Sequence, residues 1–195
     1  EKDRLNYDVL NHTDLSRYTG HSGDINLEEI YWENYELIVI DESHNFRNNN
    51  NSRDNKETRY SRLLNQIIKK GIKTKVLMLS ATPVNNRMND LKNQIAFATE
   101  GNDNALSEYG IKSIEQTLRK AQMSFNKWND SQEENKNIEN LLEMLEVDYF
   151  KLLDMLTIAR SRKHIQKYYD TTSIGKFPKR LNPINVKTDV DTENN

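Results

Sequence analysis

The sequence predicts an α/β fold: a partial parallel sheet with flanking helices, followed by an appended α-helical hairpin. Three observations carry this. Two short apolar runs, at residues 37–40 and 76–79, each read as a strand. Helical spacing fills the interval between them and the stretch that follows the second. Past Gly110 the strand signal stops and long amphipathic patterns take over.

Taken in order, "YELIVIDE" places Leu37, Ile38, Val39 and Ile40 in an unbroken apolar row. Such a row reads as a strand buried on both faces, as in parallel sheets. An asparagine-rich loop follows at residues 48–51. In "ETRYSRLLNQIIKKG", Tyr60, Leu63, Leu64, Ile67 and Ile68 recur at the spacing of one helix face. Lys69 and Lys70 complement the negative end of that helix, and Gly71 is placed to cap it at C′. The second strand, in "TKVLMLSATP", leads to "NRMNDLKNQIAFATEG", a helix with Met88, Leu91, Ile95 and Ala98 inward and Gly101 as its stop. Strand, helix, strand, helix is a βαβα unit, whose crossover should be right-handed.

"SIEQTLRKAQMSFNKWN" opens with the capping-box pair Ser113 and Gln116, and repeats Ile114, Leu118, Ala121, Phe125 and Trp128 at alternating four and three. A polar loop separates it from "IENLLEMLEVDYFKLLDML", one densely apolar helix from Ile138. These two helices form a hairpin appended to the α/β part, or alternatively cover the sheet. On either reading Phe125 and Trp128 belong to a core. The expected boundaries are 1–110 for the α/β part, 111–157 for the helical insertion and 158–195 for a basic closing segment.

Composition narrows the function classes. With 28 Lys and Arg against 30 Asp and Glu, the net charge of −2 implies no global field for nucleic acid. Absence of cysteine excludes disulfides and thiolate zinc sites. No apolar run approaches a membrane span and no basic-then-apolar leader opens the chain, so a soluble, cytoplasmic protein is expected. The four histidines never recur at i, i+4, against a zinc site, and Ser22 in "GHSG" lacks a nucleophile elbow. The chain begins without methionine, mid-pattern, and closes on polar "DVDTENN"; it is expected to be a piece of something longer.

Ligands of open parallel sheets sit outside the carboxyl ends of the strands. Both predicted strands carry their polar residues there: Asp41, Glu42, Ser43 and His44 on one, Ser80 and Thr82 on the other. A carboxylate after an apolar strand suits Mg²⁺ held through water against nucleotide phosphates, the role assigned to Asp41. A second carboxylate beside it suits a base that orients and deprotonates the attacking water, the role assigned to Glu42. Ser80 and Thr82 either relay the state of the acidic box or satisfy backbone groups at a strand end.

These residues carry a resemblance. "VIDESH" resembles motif II of the superfamily 2 helicases and translocases, and "LSATPVNNRMNDL" resembles motif III with its following helix. Ser-Ala-Thr-Pro, then Asn-Asn, then an acidic residue and Leu, is similar to the Snf2-like branch, as is "NFRN" after the box. "IARSRKHI" resembles that branch's basic segment near the end of the first lobe, with Ala159 where the first arginine usually stands. "FPKRLNPINVKTDV" resembles the stretch leading to the second lobe. The likeness runs from about Tyr7 onward, and its Ser-His and Ser-Ala-Thr forms point to a bacterial or phage-like subgroup.

The resemblance implies a RecA-like first lobe that clamps ATP and Mg²⁺ against a second lobe and moves along nucleic acid, duplex DNA in the favoured case. It implies a helical protrusion after motif III, which the 113–157 helices fit. It gives His44 a part in linking hydrolysis to motion through motif III, the alternative being a solvated loop histidine. Asn86, Arg160, Arg162 and Lys163 would contact nucleic acid or the other lobe; the basic run around Arg160 to Lys167 could equally be a solvated face.

One required part is missing. A phosphate-gripping loop needs G-x-x-x-x-G-K-[ST], and the six glycines, at 20, 23, 71, 101, 110 and 175, never give that spacing. Nor is there a second lobe to supply an arginine finger. Two alternatives stand beside the translocase: the motor of a restriction or phage-defence system, and a non-catalytic interaction module derived from a helicase.

Overall fold

The computed structural model describes residues 6–46, 57–71, 73–81, 87–132, 136–170, 175, 177–178 and 181. The chain divides into two compact units, Glu1–Leu156 and Thr157–Asn195. It is mixed α/β, with six helices and two small sheets of two strands each among the described residues. In the first unit, β1 (His21–Ser22) pairs antiparallel with β2 (Ile25–Asn26), and β3 (Leu37–Ile40) pairs parallel with β4 (Lys75–Met78).

The apolar runs do form the parallel pair. Leu37 lies opposite Lys75 and Ile40 opposite Met78. The ladder continues past both ends: Lys75 N–H donates to the Glu36 carbonyl at 2.8 Å, and Leu79 N–H to the Ile40 carbonyl at 2.9 Å. The expectation of burial on both faces is corrected. Leu37, Val39, Leu77 and Leu79 are 52, 53, 49 and 45 % exposed, because among the described residues one side of this sheet is covered and the other is not. An apolar row specifies a strand whose second face can be covered; it does not supply the cover.

Helix α1 (Arg59–Arg62) covers the buried side and winds without a break into a π-helical stretch, Leu63–Ile68. Thr58 starts it, its hydroxyl accepting the Ser61 N–H. The wider i→i−5 turn is visible in the Lys69 N–H, which reaches the Leu64 carbonyl at 3.0 Å. All five residues of the predicted apolar face are buried, Ile67 and Ile68 almost completely. Gly71, expected as a left-handed cap, lies outside that backbone region. Its need is spatial instead, since a Cβ there would fall 2.0 Å from the Thr74 hydroxyl.

Helix α2 (Met88–Ala98) lies between two cores. Phe97 packs with Ile40, Phe46, Tyr60, Leu63 and Ile67 under the sheet. Leu91 and Ile95 pack with Ile111, Leu118 and Leu152. Ala98, expected inward, is exposed, and Phe97 is inward in its place. A helix covered on two sides blurs the single apolar stripe on which that expectation rested. Gly101 does end the helix, with φ +74° and its N–H on the Ala96 carbonyl at 2.8 Å.

Helix α3 (Ile114–Asn129) begins at Ser113, whose hydroxyl accepts the Gln116 N–H at 3.1 Å. The expected single helix after the polar loop is two: α4 (Ile138–Met144) and α5 (Val147–Leu156), parted where Leu145 takes an extended backbone. Leu106, Ile111, Ile114, Leu118, Ala121, Tyr149 and Leu152 share one core with Leu91 and Ile95 of α2. Phe125 and Trp128 do not reach it; they are half-buried, with ring centroids 5.7 Å apart.

The segment before β3 is pinned by polar contacts that periodicity could not reveal. Arg62, 5 % exposed, donates to the carbonyls of Leu15 and Arg17 and lies 4.0 Å from the centre of the Tyr18 ring. Buried Asp14 accepts from the Ser22 hydroxyl at 2.6 Å, from the Asn11 N–H at 2.8 Å and from Arg17. The Ser22 and Arg17 hydrogen bonds hold its carboxyl down at about 2, from 3.8. A carboxyl depressed on folding adds stability above its unfolded value and loses it as pH falls through its folded value. Urea midpoints of the wild type and Asp14→Asn should therefore differ by a constant amount above about pH 4. The difference should shrink between pH 4 and 2, and a difference that stays flat to pH 2 would contradict the assignment.

The second unit contains α6 (Arg162–Tyr168), begun by Ser161, whose hydroxyl accepts the His164 N–H at 3.1 Å. No described helix is long and apolar enough to cross a membrane.

Candidate functional site

Parallel pairing brings the carboxyl ends of β3 and β4 to one edge, and the polar residues expected there meet. The Ser43 N–H donates to the Leu79 carbonyl at 2.9 Å, so the chain leaving β3 stays stitched to the chain leaving β4. Between this bond and the one from the Leu79 N–H to the Ile40 carbonyl, the backbone turns sharply. Glu42 has φ +47°, a left-handed conformation that costs a non-glycine residue on the order of 1 kcal/mol. The Asp41 carboxylate supports the turn by accepting the Glu42 N–H at 2.9 Å. A short 3₁₀ turn, Ser43–Phe46, follows and seats Phe46 in the core, where its ring centre lies 6.1 Å from that of Phe97.

The turn brings one His44 nitrogen to two other side chains. His44 Nδ1 is 3.1 Å from Glu42 Oε2 and 3.5 Å from Ser80 Oγ. A protonated Nδ1 donates to the Glu42 carboxylate; a bare Nδ1 accepts from the Ser80 hydroxyl instead. His44 thus touches both strand ends. The Glu42 side chain is 58 % exposed and that of His44 27 %, so the contact adds little stability, and its consequence is orientation. Asp41 is also exposed, with one carboxylate oxygen engaged by the Glu42 backbone N–H.

Behind the turn the surroundings are dry. Ser43 is 1 % exposed, and its hydroxyl donates to Gln94 Oε1 of α2 at 3.0 Å; Gln94 is itself 3 % exposed. One residue away, Tyr60 OH donates to the Asn93 carbonyl at 3.0 Å, and burial pushes the Tyr60 phenol up to about 12. Sequence reading missed Gln94, because a glutamine inside a helical pattern looks like a solvated residue. A polar residue one position before Ile95 and three after Leu91, both apolar-face positions, was the available signal.

Of the predicted site residues, the structure brings together Asp41, Glu42, His44 and Ser80. Thr82 and Asn86 lie outside the described residues. Arg160, Arg162 and Lys163 belong to the second unit, where all three are exposed. There Arg160 donates to Tyr169 OH at 3.3 Å and Arg162 lies 5.9 Å from the centre of the Phe177 ring. A cleft of about 570 Å³ opens elsewhere, between α2 and α3, lined in part by Arg87, Lys92, Glu115, Arg119 and Gln122. The Lys92–Glu115 ion pair, at 2.7 Å, crosses it.

Among the described residues no group of three carboxylate or histidine side chains converges on a point that could hold a metal. The carboxylates present fit a cation reached through water and shared with phosphate oxygens, and do not fit an all-protein metal cage. Compared with family models, with curated proteins and with solved structures, the chain matches none.

Proposed function

We propose that this chain is the later half of the first, RecA-like motor lobe of an ATP-dependent nucleic-acid translocase or helicase, with duplex DNA as the favoured track. The observation that carries this reading is the meeting of two strand ends: Glu42, His44 and Ser80 within 3.5 Å steps of one another at the carboxyl edge of a parallel pair. Four apolar side chains left bare on the other sheet face support a lobe completed by further covering structure, since parallel sheets are covered on both faces.

In this reading Glu42 orients a water and takes its proton, which its exposed carboxylate can do only while His44 and the turn hold it in place. Asp41 would hold Mg²⁺ through water, and the ion, when bound, would neutralise phosphate charge. Ser80, which meets the same imidazole nitrogen as Glu42, ties the second strand end to the first when that nitrogen is bare. Arg160, Arg162 and Lys163 meet the phosphate backbone or the second lobe. Thr82 acts with Ser80 in motif III, and Asn86 joins the nucleic-acid or interlobe contacts.

A second reading, a non-catalytic module derived from such a motor, draws on the absence of a phosphate-gripping glycine loop from these 195 residues. The motor of a restriction or phage-defence system shares every box and would be a use of the same chemistry. The two classes separate by experiment. The purified 195-residue chain is expected to show no ATP turnover above background, and a longer polypeptide carrying a G-K-[ST] box upstream is expected to hydrolyse ATP. Turnover by the chain alone, abolished by Glu42→Gln, would overturn the assignment of phosphate binding to an upstream segment. A longer polypeptide with no such box supports the non-catalytic module.

A further inference from the structure

One buried polar pair joins the acidic turn to a helix far away in sequence. Ser43 and Gln94 are 51 residues apart, 1 and 3 % exposed, and linked at 3.0 Å with the serine hydroxyl as donor. The amide orientation is fixed on both sides, because Gln94 Nε2 donates to the Asp90 carbonyl of its own helix at 3.3 Å and leaves Oε1 for Ser43. We propose that Gln94 is a positioning residue for the acidic turn. It holds Ser43, and through Ser43 it holds Glu42 and His44, the residues on either side. The functional meaning of this anchor rests on the hydrolytic reading above.

Three features support the anchor beyond simple packing. First, a leucine would fill a buried helix position between two apolar cores without any polar group to satisfy, so a buried glutamine there is costly unless its partner matters. Second, Ser43 is gripped twice, by its N–H on the Leu79 carbonyl and by its hydroxyl on α2. A residue held at two points from two elements fixes the backbone on both sides of it. Third, the neighbour so fixed is Glu42, whose left-handed φ of +47° persists only where its surroundings over-determine it. Without the α2 contact, the turn relaxes toward ordinary backbone, and the 3.1 Å Glu42–His44 contact is lost with it.

The test compares the wild type, Gln94→Leu and the double variant Gln94→Leu/Ser43→Ala. Gln94→Leu strands the Ser43 hydroxyl, and the Ser43 amide, which reports the turn, should exchange with solvent about tenfold faster in this chain by NMR. The double variant removes both polar partners, so its urea midpoint should return toward that of the wild type. In a longer protein that hydrolyses ATP, both variants should still lose about tenfold in kcat with KM for ATP changed less than about twofold. Unchanged Ser43 exchange in Gln94→Leu, or a double variant with wild-type kcat, overturns the proposal. A longer protein that never hydrolyses ATP sinks the hydrolytic reading instead, and the exchange measurement then decides the anchor alone.

Discussion

Phe97→Ala is expected to lower the stability of the first unit by about 3–5 kcal/mol, the range for an aromatic truncated in a closed core. Phe97 is 1 % exposed, with ring centres of Tyr60 and Phe46 at 4.8 and 6.1 Å. It is the point where α1, α2 and the 3₁₀ turn after Glu42 press on one another. A cavity there cannot collapse without moving one of the three. With a urea dependence of about 2 kcal/mol per molar for a domain of this size, the midpoint should fall by about 2 M. The acidic turn should loosen before the rest, because Phe46 is its anchor in the core. A midpoint shift below about 0.5 M would mean that Phe97 is not the keystone described.

Glu42→Gln carries the largest expected effect on activity. It keeps the shape of the side chain, and its amide oxygen can still accept from His44, yet it cannot take a proton from water. ATP turnover by a longer protein of the proposed kind should fall by about 10²–10⁴, the usual contribution of a positioned base. Folding should be unaffected, since the Glu42 side chain is 58 % exposed. A thermal unfolding midpoint within about 2 °C of the wild type would establish that the loss is chemical. If turnover falls less than tenfold, the base is another residue.

How much of this was legible in the sequence depends on the kind of signal. The two strands were legible because their residues are unbroken apolar runs, and their shared polar edge followed from parallel pairing. The buried face of α1 was legible from the spacing of Tyr60, Leu63, Leu64, Ile67 and Ile68, although nothing in that spacing announced the π-helical turn. Asp41, Glu42, His44 and Ser80 were named in advance because each stands at a strand end. The left-handed backbone at Glu42 was not legible, because glycine or asparagine marks such a turn and glutamate does not. Nor was the Ser43–Gln94 bond, which joins residues 51 apart through tertiary packing alone. The bare sheet face was misread for the reason that apolar residues report what a surface can bury, not what lies against it. Leu145 was misread because leucine carries no break signal, and the extended backbone there is imposed by α4 and α5 each packing on α3.

The central claim is that the turn after β3 is one half of a nucleotide-hydrolysis site whose phosphate grip lies elsewhere. The most direct measurement is steady-state ATP hydrolysis by a longer polypeptide of the proposed kind, with and without duplex DNA, for wild type and Glu42→Gln side by side. The account predicts turnover that rises with duplex DNA in the wild type and is lost in Glu42→Gln with ATP binding retained. Turnover indifferent to nucleic acid, or undiminished in Glu42→Gln, would contradict it.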